Sequence, residues 1–133
     1  MDLTNLKTTE EGVKLQLRHP ATDELLFADD KEKRPMQIEL AGSDSKRFRK
    51  INAQLVRRMQ GKKKQSTEDV ENGVTEQLVG VTLSWSNIMM DGKELLFDVD
   101  TAKDLYNGQR WIREQVAEFI SDRSNFLTNA SLI

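Results

Sequence analysis

Three groups of side chains in this chain have types and spacing that could do chemistry. His19 is the only histidine. As a general base it would need an oriented partner set of the Ser-His-Asp kind. It sits instead beside Pro20 in a turn-rich stretch, and reads as a solvated loop residue. Asp98, Asp100 and Asp104 begin like a calcium-binding loop, but Ala102 falls at the fifth ligand position. Lys103 replaces the turn glycine and Gln109 replaces the bidentate glutamate, so the match fails at the positions that bind. Asp98 or Asp100 capping a following helix is the expectation in its place. The third group is basic. Residues 43–65 hold nine cations against the single acid Asp44. Such a block could neutralise phosphates on nucleic acid, or form a solvated helix face that meets a protein partner.

Charge is sorted along the chain around that block. The total is −2, yet residues 1–42 are net −3, residues 43–65 net +8 and residues 66–133 net −7. Complementarity between blocks follows, either within one copy or head to tail between copies. An antiparallel helix pair would bring the cations near Glu68, Asp69, Glu71 and Glu76. Phe48 is the one aromatic among the cations, which weakens the nucleic-acid alternative, since single-strand binding uses stacking platforms. Arg57, Arg58, Lys62, Lys63 and Lys64 are the candidate partner contacts in this block. Met89 and Met90 are a second candidate pair, because flexible thioethers suit adaptable surfaces.

No catalytic set and no cofactor motif emerges. Gly108-Gln109-Arg110 and Asp91-Gly92-Lys93 lack the second element of a phosphate loop. With no cysteine, disulfides and thiolate metal sites are excluded. The N-terminus has neither the basic nor the apolar region of a signal peptide. No apolar run approaches the ~18 residues of a membrane span. The expectation is a non-enzymatic, cytosolic protein without cofactor or metal.

The elements that position these residues follow from periodicity. At 133 residues one domain is expected, with a hairpin region over about 12–42, a helical region over 43–127 and short flexible termini. Val13 to Leu17 and Met36 to Leu40 alternate apolar and polar, and predict two antiparallel strands. Leu25 to Phe27 is a short apolar arm between them. Ser43 is the expected N-cap of a basic helix carrying Phe48, Ile51, Leu55, Val56 and Met59 on one face, ended near Gly61. Ser66 and Asp69 have capping-box spacing. Val70, Val74, Leu78, Val81, Trp85 and Ile88 form a helical stripe, although Val79 to Leu83 is β-branched enough for a strand; a helix reaching Trp85 is favoured. Gly73 and Gly80 would allow close helix packing. Asp91-Gly92 predicts a tight turn, a short helix follows over about 101–106, and Trp111, Ile112, Val116, Phe119 and Ile120 mark a last helix. The fold class is α+β, a small N-terminal antiparallel sheet on about four helices.

That order of elements resembles the tail assembly chaperones of long-tailed, lambda-like bacteriophages. Trp85, Asp91-Gly92-Lys93 and Asn125-Phe126 carry the likeness, which extends over about residues 12–127. The resemblance implies a protein of the infected host's cytoplasm, absent from the mature virion. It implies binding and solubilising of the tape measure protein, recruitment of tail tube protein through a longer frameshifted product, and a homo-oligomer. Ending at Ile133, this chain looks like the short form.

Overall fold

The computed structural model describes residues 2–61 and 64–127. Strands β1 (Val13–Gln16) and β2 (Gln37–Leu40) pair antiparallel, with Val13 opposite Leu40 and Leu15 opposite Ile38. Their alternation turns Ile38 and Leu40 wholly inward, each with 0% exposure. The arm between them folds back: Leu26 donates its amide to Leu17 O (2.9 Å), and Met36 donates to Leu26 O (3.1 Å).

A third strand completes the sheet, in the order β1-β2-β3. Here the structure corrects the expected helix to Trp85. Helix α2 spans Thr67–Val81 and gives way at once to β3, Thr82–Ser86. Trp85 faces Ile38 and Thr82 faces Leu40, with a bulge between Glu39 and Leu40. Two strands alone leave β2 a bare edge, whose backbone donors and acceptors need partners once buried. β3 supplies them. The Leu83-Ser84-Trp85-Ser86 alternation is the strand signal; Trp85 and Ile88 fall on the helical stripe by coincidence of spacing. Residues 79–83 are thus helix to Val81 and strand from Thr82.

Helix α1 (Lys46–Gln60) is capped by Ser45, not Ser43. The buried Ser45 hydroxyl accepts from Phe48 N (3.1 Å) and donates to Gly42 O (2.7 Å). Ser43 lies two residues ahead of the cap, its amide donating to Ile120 O at 2.9 Å. The helix ends at Gly61, as its sequence predicts. α2 opens with the expected reciprocal capping box, Ser66 with Asp69.

α1 and α2 pack as a hairpin through a missing side chain. A Cβ on Gly80 would stand 2.5 Å from Ile51 Cδ1. Gly80→Val is expected to lower unfolding free energy by about 1–3 kcal/mol through overpacking. Because the clash is with one side chain, the loss should shrink in an Ile51→Ala background. A urea double-mutant cycle checks this, and equal losses in both backgrounds would refute the contact.

Beyond β3, Met89–Met90 (β4) and Lys93–Glu94 (β5) form a two-residue ladder around Asp91-Gly92. Both turn residues have positive φ, 53° and 76°, the geometry of a tight hairpin turn that favours Asp-Gly. α3 (Val99–Gly108) and α4 (Arg110–Ser121) then close the core from below. Ile112, Val116 and Ile120 point inward at four-residue spacing, while Trp111 and Phe119 flank them half-buried. Tyr106, Leu78 and Val81 join the sheet's inner face in one cluster. The 3-10 turn Arg123–Phe126 ties the chain's end to its beginning: Thr9 donates its amide to Phe126 O at 2.6 Å.

Candidate interaction surface

The polar side chains that could have done chemistry have structural duties. His19 Nδ1 accepts from the amides of Ala21 (3.0 Å) and Thr22 (3.2 Å), closing its own turn. Asp98 caps α3, accepting from Thr101 N at 2.7 Å. That bond holds its carboxyl below the usual carboxylate range. Ala102, at the would-be ligand position, is completely buried in the core. Among the described residues no three His, Cys, Asp or Glu side chains gather as a metal site. No helix there is long and apolar enough to cross a membrane. Among the described residues the one buried titratable group is Tyr106, whose phenol is pushed up to about 12 by burial, against a smaller opposing effect of its hydrogen bond to Thr82.

What the helices leave open is a surface. α1 rests mainly on α2 and buries only Leu55 fully. On one side of the hairpin, Val56, Val70 and Val74 are 46%, 47% and 40% exposed. They border a shallow seam of about 260 Å³ edged by the amides of Asn52, Gln65 and Gln77. On the other side lies a larger open groove of about 830 Å³, between α1, the α2–β3 junction and the start of α3. Ile51, Leu55, Val79, Leu83, Phe97 and Val99 give it an apolar floor, and Arg47, Arg57, Arg58 and Lys103 surround it with charge.

The charge pairing expected from the segment totals holds in part. Arg58 is ion-paired with Glu76 across the α1–α2 seam. Glu71 pairs instead with Arg110 at the start of α4 (3.4 Å). Asp44, the lone acid of the basic block, binds Arg123 through both carboxylate oxygens, at 2.6 and 3.3 Å. Arg47 donates Nε–H to Gly80 O at 2.6 Å. Arg57 and Lys103 join no carboxylate among the described residues.

The candidate contacts named from sequence are scattered. Arg57 and Arg58 line the groove. Lys64 is exposed in the connector. Lys62 and Lys63 lie outside the described residues. Met89 and Met90 are half-buried in the β4–β5 hairpin, with Met90 packed on the core. No pocket described here is lined by both the cations and the methionines. The groove's other wall, Leu83, Phe97, Val99 and Lys103, was not singled out. The local sequence gives little sign of it, since these residues lie in β3, the segment after β5 and α3, far along the chain from α1. The four-residue spacing of Arg47, Ile51 and Leu55 was the available signal on the α1 side.

Compared with protein-family profiles, with curated proteins and with solved structures, the chain matches none.

Proposed function

We propose that this protein is a non-enzymatic assembly chaperone of a long-tailed phage. It binds the tape measure protein, keeps it soluble before assembly, and helps bring tail tube subunits to it in the host cytoplasm. The observation that carries the reading is the α1–α2 hairpin, which keeps apolar side chains open on both sides beside a cationic face. A long helical client with apolar faces needs such weak, reversible cover, and self-association of the chaperone multiplies it through effective concentration. Trp85, Asp91-Gly92-Lys93 and Asn125-Phe126 add the sequence resemblance to tail chaperones.

Nucleic-acid binding through residues 46–64 takes second place because part of the block is already engaged. Arg58 faces Glu76, and Arg47 is held on a backbone carbonyl. Co-expression with a tape measure protein is the test. The expected result is a larger soluble fraction of that protein and co-purification of the two. The absence of both solubility rescue and a complex would sink the proposal, and salt-sensitive retention of RNA in place of a complex would favour the second reading.

A further inference from the structure

We propose that the groove between α1, the α2–β3 junction and the start of α3 receives an acidic amphipathic helix of a partner protein. Its chemistry is two-sided. The floor is aliphatic, with Phe97 as its one aromatic, and Val99 at its lip is 55% exposed. The rim carries four cations against one acid, Glu76, which Arg58 already answers. Arg57 and Lys103 stand on opposite walls, one from α1 and one from α3, and neither has a carboxylate partner among the described residues. From Arg47 to Arg58 the α1 wall runs about 16 Å, three helical turns. A helix laying an apolar stripe on the floor would place flanking Asp or Glu against both walls, the helix-in-groove mode of recognition. Complementary rim charges would fix its register.

A second copy fits less well. α3 and α4 already turn their apolar faces into the core, through Leu105 and Tyr106, and Ile112, Val116 and Ile120. The apolar seam at Val56, Val70 and Val74 is edged by amides rather than acids. A nucleic acid would find a floor with a single aromatic. The inference rests on the reading of the chain as a binding protein, though not on which protein it binds.

The probe is a labelled synthetic peptide of about fourteen residues, apolar at i, i+3, i+4 and i+7 with Glu on the flanks. Its binding to the full chain is followed by fluorescence anisotropy, beside a version with Lys in place of Glu. The acidic peptide should bind, and the basic one should not. Arg57→Glu with Lys103→Glu should weaken the acidic peptide about tenfold or more, two attractions becoming repulsions. Val99→Glu, at an exposed first-turn position that tolerates an acid, should weaken it as well. All three substitutions are on the surface, and an unchanged urea midpoint confirms folding. Equal binding of both peptides, or an acidic peptide indifferent to the substitutions, overturns the proposal. So does an oligomer, seen by light scattering without peptide, that the double reversal dissolves, because a second copy then fills the groove. A single-stranded RNA that binds more tightly than the peptide and is lost in the same variant also overturns it. If the peptide fails while the tape measure protein still co-purifies, only the groove assignment falls. If the peptide binds and that protein does not, only the phage reading falls.

Discussion

Replacing Phe126 with Ala is expected to remove about 3–5 kcal/mol of folding free energy, a large share of the 5–15 kcal/mol typical of a domain. Phe126 is 2% exposed and meets Phe119 edge to face, with ring centroids 5.5 Å apart. Its ring lies on Gly42, where an added Cβ would stand 2.8 Å from Phe126 Cγ. Gly42 therefore leaves room for the ring, and it immediately precedes the segment that opens α1. Losing the ring would vacate the space beside Gly42. The pair makes a sign-reversing test. Gly42→Ala alone should cost about 1–3 kcal/mol by overpacking. In the Phe126→Ala background the new methyl group enters vacated space, and its cost should vanish or turn into a gain. Urea unfolding of the four proteins measures this, and additive losses would show that the two residues do not share a site.

The same contact explains why Asn125-Phe126 stands out in the sequence. Asn125 donates Nδ2–H to Phe119 O (3.1 Å), Thr9 reaches Phe126 O, and Arg123 reaches Asp44. The pair belongs to a clasp across the chain's two ends and the entry to α1.

The parts of the fold legible in the sequence were those set by local physics. The two alternating strands, the Ser66–Asp69 box, the Asp98 cap, the Asp91-Gly92 turn and the α4 stripe each depend on residues a few positions apart. The α2–β3 boundary was not local. Val81 and Thr82 suit either state, and what decides between them is the open edge of β2, some forty residues upstream. The cap of α1 failed for a related reason. Ser43 and Ser45 are both cap residue types just ahead of the helix, and what distinguishes Ser45 is its buried hydroxyl, which bridges Phe48 N and Gly42 O. The groove was half legible, since α1 announces its basic, apolar-striped face. Its opposite wall comes from residues brought there by the strand that the helical stripe concealed.

That strand also sets a hydroxyl against the buried phenol of Tyr106. Thr82 donates its hydroxyl proton to Leu78 O (2.8 Å) and lies 2.7 Å from the Tyr106 hydroxyl. With its one proton so engaged, Thr82 accepts from Tyr106. Ionising the phenol would leave a phenolate buried in the core. Burial accordingly raises Tyr106 to about 12 from an unfolded value of 10.0. Below pH 10 both states hold the proton, and the stability is fully present. As pH rises from 10 to about 12 the unfolded chain loses the proton and the folded one keeps it, so unfolding is increasingly favoured. The loss is complete above about 12 and amounts to about 3 kcal/mol at 1.36 kcal/mol per unit. Tyr106 is the only tyrosine, so phenolate absorbance follows this one group. Tyr106→Phe is expected to cost about 1 kcal/mol at neutral pH, the worth of one hydrogen bond, and to lack the extra alkaline slope. Urea midpoints of the two proteins across this range isolate Tyr106, because every other group is common to both. Parallel alkaline slopes, or a phenolate that forms at the unfolded value in the folded protein, would show that burial does not hold the proton on Tyr106.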